Sequence, residues 1–300
     1  MTDLMILAVD QRPWLTNALS GHPGPASPTE RAAVARAKHV VLDGLLRAVE
    51  GGVDRASAAI LVDDDLGPGV AERARAHGIT VSMPLEVGGR EIYEDAQADV
   101  PTWLAHHRPD LAKVLVRYNP EGDAEANDVQ LRRLAATSAA SRDAGCEFLF
   151  ELLVPPTPEQ LARHGDEAGY DERDRPALTL RAVEEIADRV DVDVWKLEHM
   201  GDDDGYSAVA ALAREHGGAR CVVLGAGAPV PVVEGRLATA ARAGFTGFAV
   251  GRSIWWDAVR ALLAGEVGDA EAAQQVAARY SRFVTAFASA ASRSVAAGVA

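Results

Sequence analysis

Short apolar runs alternate along the chain with longer stretches whose apolar positions recur at helical spacing. The short runs fall at 4–9, 58–62, 80–84, 113–118, 147–154, 193–198, 221–225 and 247–251. Between them lie periodic stretches at 29–49, 70–77, 100–107, 124–144, 177–190, 208–216, 232–243 and 254–264. A β run followed by a helix-period stretch, repeated along the chain, predicts βαβ units and a parallel sheet. Eight such repeats close into a barrel more readily than they stay open. The expected fold class is therefore α/β, a (β/α)8 TIM barrel, and 300 residues fit it as a single domain spanning 1–300. An alanine-rich stretch at 270–297, carrying Tyr280, Phe283 and Phe287, predicts a C-terminal extra helix. It either covers the barrel floor or meets a second copy of the chain, and packing on its own barrel is favoured. The segments 21–27 and 164–175 are polar and read as loops.

In a barrel of this kind, chemistry collects at the C-terminal ends of the strands. Those ends are polar here. The first is followed by Asp10, Gln11 and Arg12, the second by Asp63 and the third by Glu86. The fourth carries Lys113 and Arg117, the fifth Glu151, and the sixth Lys196 and Glu198. Period two puts Lys196 with Glu198 on one face and Lys113 with Arg117 on one face, while Trp195, Leu197, Val114 and Val116 turn toward the helices. Both strand lysines then point into the barrel with carboxylates. One reading is a layer of buried salt bridges that fills the barrel. The other is a Schiff-base site, because a buried amine must be paired or neutral and a neighbouring cation favours the neutral, nucleophilic form. Lys113 opens its run and lies deep, whereas Lys196 lies near the end of its own. Reaction needs close approach to a carbonyl, so the shallow lysine is the expected nucleophile.

The last two runs suggest a phosphate site. Gly225, Ala226 and Gly227 follow the seventh, and Gly251, Arg252 and Ser253 follow the eighth and open a helix. Barrels often hold phosphate with these two loops and a helix N-terminus. Glycines let backbone N–H groups approach the oxygens, and Arg252 adds charge.

Composition narrows the partners. The net charge of −14 argues against nucleic acid and anionic membranes. A phosphorylated small molecule is the expected partner, held at a local positive site. No apolar run reaches the length of a membrane span, no basic leader with a cleavage site is visible, and Cys146 and Cys221 sit inside or beside strands. These features point to the reducing cytoplasm. Of the 30 basic residues only Lys38, Lys113 and Lys196 are lysine. In a chain that otherwise uses arginine, these mark places that arginine does not serve, and lysine alone of the two can lose its proton and attack a carbonyl. The histidines do not converge: His106 and His107 read as helix surface, and only His199 lies near a strand end. Asp202, Asp203 and Asp204 read as solvated loop. Neither a metal nor a cofactor is expected.

Four stretches carry a resemblance: Lys113-Val-Leu-Val-Arg-Tyr-Asn-Pro-Glu-Gly-Asp123, Phe150-Glu-Leu-Leu-Val-Pro155, Asp193-Val-Trp-Lys-Leu-Glu198 and Gly247-Phe-Ala-Val-Gly-Arg252. With them the chain resembles the 2-deoxy-5-keto-gluconate-6-phosphate aldolase family and, more distantly, class I tagatose-1,6-bisphosphate and sulfofructose-phosphate aldolases. The resemblance implies a class I aldolase, with Lys196 as the Schiff-base lysine and Glu151 as the carboxylate that moves protons. It makes Lys113 the second lysine, Asp10 an acid that orients a substrate hydroxyl, and Arg252 a phosphate ligand. It implies cleavage to dihydroxyacetone phosphate and malonate semialdehyde, with Arg12 or Arg117 receiving the distal carboxylate. The chain departs from the family pattern at Gln11, Val87, His199 and Ala226, where the family has histidine, lysine, glycine and arginine. These changes fall on the substrate side. They keep two rival readings open: an aldolase or transaldolase for another ketose phosphate, and a barrel that binds a sugar phosphate without turnover.

Overall fold

The structure is a computed structural model that describes residues 3–11, 15 and 26–298, with side chains described to residue 293. Eight parallel strands hydrogen-bond in chain order as a closed barrel: β1 (Leu4–Ala8), β2 (Ala58–Leu61), β3 (Thr80–Pro84), β4 (Leu111–Arg117), β5 (Glu147–Leu153), β6 (Val194–Leu197), β7 (Arg220–Leu224) and β8 (Gly247–Val250). The helices between them are α1 (Pro28–Glu50), α2 (Val70–Ala76), α3 (Val100–His107), α4 (Ala124–Asp143), α5 (Pro158–His164), α6 (Glu167–Arg173), α7 (Arg175–Ala187), α8 (Asp203–Glu215), α9 (Val230–Arg242) and α10 (Arg252–Leu263). A final helix, α11, spans Asp269–Gly298. The fold is the (β/α)8 barrel that the alternation of patterns predicts. Its strands are short and mostly buried on both faces, as a parallel sheet covered by helices requires. Among the described residues no helix is long and apolar enough to cross a membrane.

Three elements differ from the sequence reading, each for a local reason. β4 begins at Leu111, so Lys113 is its third residue and does not open it. The expected loop at 164–175 contains α6 and the start of α7, and α5 precedes it. Thr157 and Gln160 close a capping box at the start of α5, with Pro158 in its first turn, and the Asp166 side chain caps α6 at Gly169 N. The acidic run at 202–204 is not a solvated loop. Asp202 caps α8 by accepting from Gly205 N, and Asp203 and Asp204 occupy its first turn, where negative charge suits the helix dipole.

The chain divides into two compact units, one of residues 1–84, 225–238 and 247–292 and one of 85–224, 239–246 and 293–300. In the first, α11 packs on its own barrel strands. The Tyr280 hydroxyl donates to Met5 O at 2.6 Å, and Phe248 stacks edge-on against both Tyr280 and Phe287. Val276 fills the space above Gly44 of α1, where even a Cβ would collide. Burial pushes the Tyr280 phenol well above its ordinary range. In the second unit, β4 to β7 lie in continuous parallel register. Cys146 and Cys221 are free and buried, and burial pushes the Cys221 thiol up to about 12.

Candidate active site

In the second unit, register decides which side chains share a face. Glu151 of β5 pairs directly with Lys196 of β6 and with Leu115 of β4. Lys113 stands two residues before Leu115, so all three charged residues point to one side. On the other side Phe150 and Trp195, also register partners, pack ring on ring with centroids 5.1 Å apart. The charged side chains meet in an alternating row. Lys196 Nζ lies 2.9 Å from Glu151 Oε1, and Lys113 Nζ lies 2.9 Å from Glu151 Oε2. Lys113 Nζ also donates to Glu86 Oε1 at 2.9 Å. Lys113 and Lys196 are 1% and 4% exposed. Amines so deeply buried are tolerated because each faces a carboxylate. Each oxygen of Glu151 therefore rests on a different amine.

The row has a gradient of depth. Lys113 lies at the level of Leu149 and Val194, two residues below Lys196 in register. At the rise of a parallel strand this is ~6–7 Å along the barrel. Lys196 is thus the amine nearer the end of the strands where loops begin.

Glu198 shares the face of Lys196 by period, but its carboxylate is tied back. It accepts from Val154 N at 3.0 Å and lies 3.4 Å from Arg175 Nη1. Burial raises its pKa above the ordinary carboxylate value, with Arg175 opposing and the Glu151 charge adding to the rise. Arg175, which sequence reasoning missed, is buried and also pairs with Asp171 at 2.9 Å. The Asp-Arg-Pro run at 174–176 is a helix-start signal that marks its place. Tyr170 of α6 donates to Val154 O at 2.9 Å, so the segment after β5 is clamped onto the end of that strand. The adjoining loops are tied by Asn119, which donates to Pro155 O and to Gln160 Oε1, both at 2.8 Å. Arg117 donates to Arg90 O at 2.9 Å and so braces the segment after β3. Among the described residues no group of three or more His, Cys, Asp or Glu side chains is placed to hold a metal ion.

The first unit holds the other residues singled out by sequence. Asp63 is buried and ion-paired with Lys38 of α1, and it accepts from Leu66 N at 2.7 Å. Its position is that of a structural anchor between α1 and the end of β2. Asp10 accepts from Gln11 Nε2 at 3.4 Å. Arg12 lies outside the described residues.

The loops after β7 and β8 lie close together within this unit. A Cβ on Gly225 would reach 2.9 Å from Val250, and one on Gly251 would reach 2.3 Å from Ala8 O. Gly227 has φ +72, and the Arg252 guanidinium packs directly over it. Arg252 donates to Ala226 O at 3.2 Å, and Ser253 Oγ donates to Ala228 O at 2.8 Å. Gly251 caps α10 without a side-chain hydrogen bond, and its carbonyl accepts from Ile254 N at 2.8 Å. A cleft of about 370 Å³ lies here, and its lining includes Gly227, Arg252, Ser253, Asp257 and Arg279. Two arginines and the start of α10 suit an anion, with the Asp257 carboxylate opposing them.

The family model described as "Uncharacterized protein conserved in bacteria (DUF2090)" matches residues 1–291. No curated protein matches the sequence. Several solved structures share the fold. A fructose-bisphosphate aldolase of Plasmodium falciparum is 12% identical, with 96% of this chain and 91% of that one covered and a TM-score of 0.61. A Schiff-base-forming fructose-1,6-bisphosphate aldolase is 14% identical, with 89% and 94% covered and a TM-score of 0.55. The protein Cgl0159 of Corynebacterium glutamicum is 20% identical, with 94% and 85% covered and a TM-score of 0.56. At such identities the likeness is one of fold.

Proposed function

The chain belongs to the DUF2090 family, and we propose that it is a class I aldolase that cleaves a phosphorylated keto sugar through a Schiff base on Lys196. One observation carries this reading. A single buried carboxylate, Glu151, sits between two buried amines from neighbouring strands, and one of those amines is near the mouth. A layer of filler salt bridges does not require one of its amines at the strand ends. A carbonyl chemistry does, because it needs one amine to react and one charge to remain. The barrel shared with a Schiff-base-forming aldolase supports the reading.

Lys196 passes a proton to Glu151, its neutral amine attacks the substrate ketone, and Glu151 returns the proton to the carbinolamine hydroxyl, which leaves as water to give an iminium. Glu151 takes the proton of the hydroxyl that becomes the aldehyde. The carbon–carbon bond then breaks, and its electrons pass into the iminium to give an enamine. Glu151 returns its proton to the enamine carbon. Water adds to the regenerated iminium, releasing the ketone product and the Lys196 amine. Lys113 remains charged beside Glu151 throughout. Asp10 orients a substrate hydroxyl, and Arg252 with the loops at Gly225, Gly227 and Gly251 holds the phosphate. The substrate proposed is 2-deoxy-5-keto-gluconate 6-phosphate, with dihydroxyacetone phosphate and malonate semialdehyde as products.

The test combines trapping with turnover. Incubation with dihydroxyacetone phosphate and borohydride should leave one reduced adduct, located on Lys196 by mass spectrometry. A panel containing 2-deoxy-5-keto-gluconate 6-phosphate, tagatose bisphosphate and sulfofructose phosphate, coupled to a triose-phosphate assay, then identifies the substrate. Turnover should survive a chelator, because the iminium stabilises the carbanion. An adduct elsewhere, or none, overturns the Schiff-base assignment. Binding of a sugar phosphate with neither adduct nor product would make the barrel a binder.

A further inference from the structure

We propose that Glu86 is a positioning residue of this site, acting through Lys113: it holds that amine charged and extended toward Glu151 while Glu151 cycles its proton. The inference rests on the Schiff-base reading above and deepens it.

The geometry asks for such a residue. Lys113 starts two residues deeper than Glu151 and must climb to reach Oε2. Its Nζ sits between two carboxylates, each at 2.9 Å. Glu151 in turn is shared with Lys196. Counting Glu151 alone, two amines share one negative charge. Counting Glu86, the row is balanced, two against two. In turnover Glu151 becomes neutral each time it takes the hydroxyl proton. Of the two carboxylates that pair with Lys113, Glu86 is the one that keeps its charge at that moment. A buried ammonium without an anion is costly and gives up its proton. Glu86 thereby keeps Lys113 charged and in place while Glu151 carries the proton.

Glu86 is built for holding and not for meeting substrate. It is 5% exposed. Its backbone is in an antiparallel bridge with Asp95, flanked by Val87 N donating to Glu94 O at 2.9 Å and Leu85 N donating to Lys113 O at 2.8 Å. The strand of Lys113 and the segment of Glu86 are thus hydrogen-bonded one residue away from the ion pair. On the far side, Tyr93 is hydrogen-bonded to Asp95 and Thr137, and burial keeps its phenol neutral. The charged and titratable groups around Lys113 include Glu86, Glu151 and, beyond Glu151, Lys196, with Tyr93 and Asp95 behind Glu86.

Dihydroxyacetone phosphate serves as the probe. Exchange of its C3 hydrogen with solvent deuterium, followed by NMR, reads proton transfer, and borohydride trapping reads the imine. Glu86→Gln should lower the maximal exchange rate about 100-fold, the scale of a lost acid–base arrangement. The half-saturating concentration should stay within about three-fold, since no substrate contact is removed. The alkaline limb of the exchange profile should move to lower pH, because Lys113 loses an anion that favours its charged form. Glu86→Asp should restore most of the rate. In a Lys113→Met background Glu86→Gln should have no further effect on rate. Its effect on the melting temperature should also change sign there: it lowers Tm in the wild type and raises it once the carboxylate has lost its cation.

Half-saturation rising tenfold or more with the rate retained would make Glu86 a substrate ligand. Additive effects in the two backgrounds, or a melting temperature that moves the same way in both, would also overturn the proposal. Absence of a wild-type adduct on Lys196 refutes the aldolase reading instead, and the melting-temperature cycle then decides alone whether Glu86 holds Lys113. If Glu86→Gln fails to fold as a single variant, Glu86→Asp and the Lys113→Met pair decide the same question.

Discussion

Lysine and carboxylate are buried together in both units, in two different arrangements. In the unit that contains β1 to β3, Lys38 reaches from α1 to Asp63, and Asp63 also accepts a backbone N–H from Leu66. The packing is close: a Cβ on Gly67 would lie 3.1 Å from the Lys38 Cδ. In the unit that contains β4 to β7, two lysines and two glutamates alternate, and Glu151 divides its oxygens between Lys113 and Lys196. The first arrangement neutralises a charge and ties a helix to a strand end. The second leaves a carboxylate with two competing amines, so a proton can move without leaving an uncompensated charge. Burial of a lysine does not by itself distinguish a site from an anchor. Scarcity of lysine does not either, since all three lysines are buried and one of them serves packing.

The largest effect should separate the two regions outright. Lys196→Arg keeps the charge but forms no imine, and it should abolish both turnover and borohydride trapping. Lys38 should never carry the adduct; a labelled Lys38 peptide would erase the distinction between anchor and site. Lys113→Met should come next, slowing turnover about 100-fold while trapping on Lys196 persists on longer incubation. Trapping that moved to Lys113 in the wild type would exchange the two roles.

Arg252→Ala should raise the Michaelis constant about 10–100-fold with a smaller change in kcat, because it removes binding present in ground and transition states alike. Unchanged binding, with soaked phosphate found elsewhere, would remove the loops after β7 and β8 from the site. Lys38→Met should leave kcat intact and cost about 3–5 kcal/mol in urea unfolding, since it strands the buried Asp63. Adding Asp63→Asn should recover part of that loss. A large fall in kcat with normal stability would show that the anchor takes part in chemistry.

The smallest effect is one of pH. Burial raises the Glu198 carboxyl above its ordinary range. A raised folded value contributes stability that is full below the unfolded value and is lost as pH rises through the folded one. Glu198→Gln removes that loss. Its melting temperature should therefore gain on the wild type as pH rises from about 4 and then level off above the folded pKa. A difference independent of pH would mean that Arg175 fully compensates the charge.

Much of the barrel is legible along the chain because each strand is a short apolar run and each helix has its own period. Lys196 and Glu151 are legible for the same reason: a charge inside an apolar strand stands out, and period two says which way it points. Arg175 and Glu86 were harder to place. Arg175 falls in a polar segment whose helices are set by local caps at Thr157 and Asp166, and its partner Glu198 belongs to another strand. Glu86 was visible as an acid after β3, but its partner is 27 residues away on β4. Asp63 had the same signature at a strand end, and it pairs with a helix lysine 25 residues earlier. By itself the sequence determined the order and type of most elements, the face on which each strand lysine lies, and the relative depth of the two amines. Which carboxylate meets which amine was decided only by the tertiary structure. Pairing depends on strand register and loop path, which are long-range properties, and a charge at a strand end carries no local record of the partner that will neutralise it.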